Sequence, residues 1–213
     1  MVLYRLCRAV VVAVCRLCWR VRFDGLEHVP PGPFVLAPVH RSWLDFALVA
    51  GVTRRRLRYM GKEELWCHPG LGRLLTALGA FPVARGNVDR EAMRRCLAVV
   101  ADGEPLVLFP EGTRRQGPVV TDLFEGAAYV AARAAIPVVP VGIGGSERAL
   151  PRGRRLPRPV RVAVVVGEPI LPASTLGPGR SARVPRREVR DLTEALRGRL
   201  QALFEEATAR AGR

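Results

Sequence analysis

Lysine is almost missing from this sequence: Lys62 stands alone, and every other basic residue is arginine. Alanine, glycine and proline are plentiful beside those arginines, a compositional bias that discounts part of the formal net charge of +15. The remaining charge still draws anionic partners, of which nucleic acid and acidic membrane surfaces are the obvious classes. Aromatics are scarce as well, at 6%. Proteins that hold single-stranded nucleic acid stack its bases on aromatic platforms, and no helical segment here carries a basic recognition face. No nucleic acid is therefore expected, and the anionic membrane surface is kept as the partner. Long hydrophobic runs are missing too. The uninterrupted stretch Ala9 to Cys15 falls far short of the ~20 residues that span a bilayer, and no convincing small-residue cleavage site of a secretory signal follows it. Cysteine is limited to Cys7, Cys15, Cys18, Cys67 and Cys96, an odd number set mostly in apolar helical contexts. That argues against a disulfide framework and for a reducing compartment. Cys15 and Cys18 form a C-x-x-C with no second pair at zinc spacing, so no metal is expected.

What is present is alternation. Short β-branched or apolar runs, bounded by glycine or proline, read as strands at Phe34 to Ala37, Leu57 to Met60, Ala80 to Val83, Pro105 to Phe109, Val138 to Ile143 and Val160 to Val166. Helical patterns lie between them, at Trp43 to Gly51, Gly70 to Leu78, Asp89 to Ala101 and Asp122 to Ala134. Asp122, with Glu125 three residues on, offers a capping-box start for the last of these. Val189, Leu192, Leu196, Leu200 and Leu203 mark a final helix. Pro151 to Pro159 and Pro172 to Arg187 read as loops. The predicted fold class is α/β, with a largely parallel or mixed central sheet of about six to seven strands flanked by helices. Residues 1–22 are expected to form an amphipathic, membrane-associating helix and residues 23–213 a single domain. On a helical wheel Arg5, Arg8, Arg16 and Arg20 share about one third of the circumference. An arginine-faced, apolar-bodied helix of this kind lies in the headgroup layer of an anionic membrane.

Three segments carry chemistry. His40-Arg41-Ser42-Trp43-Leu44-Asp45 follows the strand Phe34 to Ala37. A histidine near neutral pKa can take a proton from an alcohol, provided an acceptor holds its other ring nitrogen. A carboxylate five residues on, across the turn into a helix, can supply that acceptor. This is a base and its orienter without a built-in serine nucleophile: Ser146 in Gly144-Gly145-Ser146-Glu147-Arg148 lacks the second glycine of a nucleophile elbow, and Ser42 inside the segment stays open as an alternative. Phe109-Pro110-Glu111-Gly112-Thr113-Arg114 follows another apolar strand. There Gly112 permits an unusual backbone turn, and Arg114 presents a fork of donors suited to phosphate oxygens. The segment Gly79 to Arg85 delivers Arg85 at the end of a short strand, and Lys62 follows Leu57 to Met60. In a largely parallel sheet all these residues share one rim, where open α/β sheets bind ligands.

In this order, His40-x4-Asp45, the glycine-to-Arg85 block, Phe109 to Arg114, and Ile136-Pro137-Val138-Val139-Pro140-Val141 resemble the four sequence blocks of the glycerolipid acyltransferases. The chain is most similar to the bacterial 1-acyl-glycerol-3-phosphate acyltransferase type, often called PlsC-like, from about Phe23 to the C-terminus. The resemblance implies that His40 is a general base oriented by Asp45. It implies that Glu111 and the Gly112 backbone help place the acceptor hydroxyl, and that Arg114, Lys62 and Arg85 hold the acceptor phosphate. Ile136 to Val141 would shape the acyl site. It further implies acyl transfer to a lysophospholipid, with lysophosphatidate or another lysolipid as acceptor. The donor would be acyl-CoA or acyl carrier protein, with no cofactor or metal, at the cytoplasmic face of the membrane with peripheral or monotopic attachment. Val39 and Glu125 depart from the family, which often carries a polar and a basic residue there.

Overall fold

The computed structural model describes residues 2–83, 90–151, 153–154, 156–173 and 184–212. The chain opens with α1 (Val2–Trp19), β1 (Arg22–Asp24), β2 (Val35–Pro38), α2 (Asp45–Val49), β3 (Arg58–Lys62), α3 (Pro69–Ala77) and β4 (Ala80–Val83). It continues through α4 (Arg90–Ala101), β5 (Leu106–Val107), α5 (Gly126–Ala134), β6 (Val138–Gly144), α6 (Ser146–Ala149), β7 (Ala163–Val166) and α7 (Arg186–Gly212).

The seven strands form one sheet in the order β1-β7-β6-β2-β5-β3-β4. From β6 to β4 all neighbours are parallel. At the other edge β7 runs antiparallel to β6 and β1 pairs parallel with β7, so the sheet is mixed. The central strand β2 is buried along its whole length, which explains why Val35, Leu36 and Ala37 read as an unbroken apolar run rather than an alternating one. From β5 the chain crosses to the far side of β2 to make β6. The carboxyl ends of β2 and β5 thus lie side by side where the strand order reverses, the usual ligand crevice of such sheets.

Helix α7 covers the sheet at β6 and β7, burying Val189, Leu192, Leu196, Leu200 and Phe204. Full burial of a leucine stabilises by about 1.5–3 kcal/mol. The approach is backbone to backbone. A Cβ on Gly142 would lie 2.2 Å from the Leu203 carbonyl oxygen, and one on Gly144 would lie 2.3 Å from the Ala207 carbonyl. The two glycines sit two apart in β6, on the same face of the strand.

Three local expectations need correction. Strand β1 lies in a segment with no strand pattern; it is only Arg-Phe-Asp, ordered by its register with Ala163, Val164 and Val165. Helix α5 begins at Gly126, with Glu125 at its N-cap and no side-chain cap bond. The Asp122 capping box does not form, because the Phe124 N–H donates to the Pro110 carbonyl (2.8 Å) and pulls this stretch onto the Phe109–Arg114 loop. Helix α1 stops at Trp19, and one of the four arginines, Arg8, leaves the exposed group. Arg8 points inward and its Nε donates to the carbonyls of Ala50 (2.8 Å) and Thr53 (2.7 Å), beyond the end of α2. Tyr4, Val12, Cys15 and Trp19 pack on the domain, while Val2, Leu3, Leu6, Val10, Val14 and Leu17 are exposed. The outward side of α1 therefore carries exposed apolar residues together with Arg5 and Arg16, and Arg20 follows just past its end. Among the described residues no helix is long and apolar enough to cross a membrane.

Candidate active site

His40 emerges from the end of β2, and Asp45 opens α2. The His40 Nδ1 lies 3.0 Å from Asp45 Oδ2. The same oxygen accepts the main-chain N–H of Arg41 (2.6 Å) and of Ser42 (2.7 Å). The carboxylate is fully buried at a helix start, where exposed backbone N–H groups favour negative charge. An ionised carboxylate only accepts, so His40 presents Nδ1–H to it and carries its lone pair on Nε2. The ring packs against a pair of phenyl rings in mutual contact, Phe109 (centroids 4.3 Å apart) and Phe46 (5.3 Å, edge-on). This arrangement can accept a proton from an alcohol at Nε2 while Asp45 stabilises the resulting imidazolium.

The loop after β5 lies against this turn. The Arg115 N–H donates to the His40 carbonyl at 2.9 Å, and the His40 N–H donates to Glu111 Oε2 at 2.7 Å. Glu111 is fully buried, and its other oxygen lies 3.0 Å from the buried Arg41 guanidinium. Arg41 also donates to the Val119 carbonyl (3.1 Å) and lies 4.6 Å from the Phe204 ring centroid. Burial raises the Glu111 carboxyl above its ordinary range, opposed by the His40 N–H and by Arg41. Glu111 is not among the residues lining the cavity beside it. In this structure its carboxylate holds the His40 loop from behind, through the His40 N–H and Arg41. Gly112 supplies the turn that exposes the following residues, with φ +65°.

The cavity has a volume of about 930 Å³ and contains His40, Trp43, Gly112, Thr113 and Arg114 in its wall. The remaining wall is mainly apolar, from α1 (Val11), α2 and its C-cap (Ala47, Ala50), β3 (Met60, Gly61) and the α3 region (Leu65, Leu75, Leu78). His40 and Arg114 thus share one pocket, as the sequence order predicts. Lys62 ends β3 on the same rim, but its side chain lies outside the described part of the structure, as does the whole of Arg85. Ile136, Val138, Val139 and Val141 are core residues of β6 and its entry, and none of them lines the cavity. Sequence reasoning missed Arg41, Trp43 and Phe46. The first two lie inside the His40-x4-Asp45 segment, and that adjacency was the only available signal.

Comparison with known proteins agrees with this geometry. A family model described as Acyltransferase matches residues 20–144, more than half of the chain. The 1-acyl-sn-glycerol-3-phosphate acyltransferase of Bacillus subtilis is 28% identical over 204 residues, covering 94% of this chain and 96% of its own. A protein of the same description from Chlamydomonas reinhardtii is 30% identical over 161 residues, 72% of this chain and 48% of its own length. The crystal structure of the 1-acyl-sn-glycerophosphate acyltransferase PlsC from Thermotoga maritima shares the fold, with a TM-score of 0.76 at 24% identity, over 95% of this chain and 79% of that one. With the matched segment spanning the His40–Asp45 turn and the Phe109–Arg114 loop, the chain belongs to the acyltransferase family.

Proposed function

We propose that this acyltransferase moves a fatty acyl group from a thioester donor to the free hydroxyl of 1-acyl-glycerol-3-phosphate, giving phosphatidic acid. The observation that carries the reading is that the His40–Asp45 pair and the Arg114 guanidinium line one largely apolar cavity. A lysolipid with a phosphate headgroup needs an apolar wall for its chain, a cation for its phosphate and a base at its hydroxyl. Descriptions of the Bacillus and Chlamydomonas relatives support the same acceptor.

In this mechanism His40 Nε2 takes the hydroxyl proton as that oxygen attacks the thioester carbonyl. The tetrahedral intermediate collapses with cleavage of the C–S bond, and the imidazolium returns its proton to the departing thiolate. The product is an ester and a free thiol, and His40 ends neutral. Thiolate is a good leaving group, so a base and correct positioning suffice; the transfer needs no metal or prosthetic group. Arg114 binds the acceptor phosphate, and the family resemblance adds Lys62 and Arg85 as further cations for it. The donor is acyl-CoA or acyl carrier protein.

The enzyme works at a membrane surface in this reading. The outward face of α1 presents Leu3, Leu6, Val10, Val14 and Leu17 to the surroundings, and Val11 of the same helix lines the cavity. An apolar stripe beside a lipid cavity, on a protein with net charge +15, suits the acyl boundary of an anionic leaflet. The free cysteines suit its cytoplasmic, reducing side. The test is product identification by mass spectrometry, with purified enzyme, a panel of lysolipids and both donor types. Phosphatidic acid from lysophosphatidate is the expected product. Efficient acylation of a phosphate-free lysolipid, with lysophosphatidate untouched, would overturn the acceptor assignment.

A further inference from the structure

We propose that Trp43 is a positioning residue for the acceptor: its indole holds Arg114 by the face of the guanidinium and leaves the N–H edge free for a phosphate monoester. This rests on the acceptor reading above.

The Arg114 guanidinium carbon lies 4.5 Å from the Trp43 ring centroid, inside the ~6 Å range of cation–π attraction. Both side chains line the cavity that contains His40. Trp43 is 60% exposed, so core packing does not explain a residue of this size there. Its backbone is fixed nonetheless, because Asp45 takes the N–H groups of Arg41 and Ser42 and so locks the turn that carries it. From Trp43 a row of aromatic rings leads to the base: Phe46 lies 6.2 Å from Trp43, and the His40 ring lies 5.3 Å from Phe46. Base, orienter and platform therefore belong to one six-residue segment, His40 to Asp45.

The mode of holding matters. A carboxylate partner would engage the edge donors of the guanidinium and cancel its charge, the two properties that phosphate recognition uses. An aromatic face restricts the same group without engaging those donors. Arg8, the other arginine of the cavity wall among the described residues, is held in the opposite way. Its Nε is committed to two backbone carbonyls, which suits a structural role. Trp43 thus orders Arg114 before the acceptor arrives and reduces the entropy lost on binding.

The experiment uses the full-length enzyme with Trp43→Leu, Trp43→Phe, Arg114→Ala and the Trp43→Leu/Arg114→Ala double variant. KM for lysophosphatidate, KM for the thioester, kcat and co-sedimentation with anionic vesicles are measured for each. Trp43→Leu keeps apolar bulk and removes the π face. It is expected to raise KM for lysophosphatidate by about five- to tenfold, with kcat and the donor KM within about twofold and vesicle binding unchanged. Trp43→Phe restores most of the affinity, and in the Arg114→Ala background Trp43→Leu adds nothing. An equal rise in the Arg114→Ala background, or a loss shared with vesicle binding, would show a structural or membrane-anchoring role and overturn the inference. If Arg114→Ala raises KM and Trp43→Leu does not, the inference alone falls. If Arg114→Ala leaves KM unchanged, the acceptor reading falls with it.

Discussion

The main-chain N–H of His40 donates to the Glu111 carboxylate at 2.7 Å, a bond that ties the carboxyl end of β2 to the loop after β5. Arg41, the residue after His40, closes on the other oxygen of the same carboxylate at 3.0 Å. Neighbouring residues of one loop therefore converge on a single buried acid from the other. The base is held through its backbone by Glu111 and through its ring by Asp45.

Removing one member of this buried pair leaves the other charge unpaired. Glu111→Ala is expected to destabilise the fold by about 3–5 kcal/mol, read by urea unfolding. Arg41→Met combined with Glu111→Leu removes both charges and is expected to recover most of that stability. It should not recover activity, because the His40 N–H still lacks its acceptor. Full activity in a stable double variant would show that Glu111 does no more than neutralise Arg41.

The same carboxylate sets a pH signature. Burial raises the Glu111 carboxyl above its usual 4.5, so it takes up a proton earlier than ordinary glutamates as pH falls. Its contribution to folding stability is fully present below the unfolded value and is lost as pH rises through the raised folded value. Activity runs the other way, since protonation weakens the hold on the His40 loop and on Arg41. The acid limb of kcat is therefore expected to contain a component that disappears in Glu111→Gln, checked on a folded sample by circular dichroism. An identical acid limb in that variant would remove Glu111 from the account.

Asp45 governs the ring itself. Asp45→Asn keeps the shape but no longer provides an acceptor-only partner at His40 Nδ1. It is expected to lower kcat by about 10²–10⁴-fold, with KM for lysophosphatidate little changed. A comparable rise in KM would mean that the substitution had disrupted the cavity rather than the base.

The outward face of α1 makes a separate prediction. Leu6→Ser, Val10→Ser and Leu17→Ser change exposed side chains, so thermal unfolding is expected to stay within about 0.5 kcal/mol of the parent. Binding to anionic vesicles is expected to fall steeply in the triple variant, since each buried leucine is worth about 1.5–3 kcal/mol. Unchanged co-sedimentation would assign this face to something other than lipid.

How far the sequence disclosed the molecule depends on the range of the signal. The base and its orienter were readable because five residues of spacing place both ends of one turn together. Strand β4 was readable to the residue, since Ala80 to Val83 is bounded by Gly79. The direction of the Glu111 carboxylate was not readable, because it depends on β2 and β5 being neighbours, a long-range pairing. Nor was the inward turn of Arg8 on α1. Periodicity separates two faces, but only the carbonyls of Ala50 and Thr53 explain why Arg8 turns inward. Strand β1 is too short to carry any alternation and exists through its partner β7.

The most direct test of the central claim is acyl transfer to lysophosphatidate by purified His40→Ala, compared with the parent enzyme under single-turnover conditions. With Nε2 as the base, the rate is expected to fall by at least about 10²-fold while the variant remains folded and still binds the acceptor. Transfer at the parental rate would contradict the account.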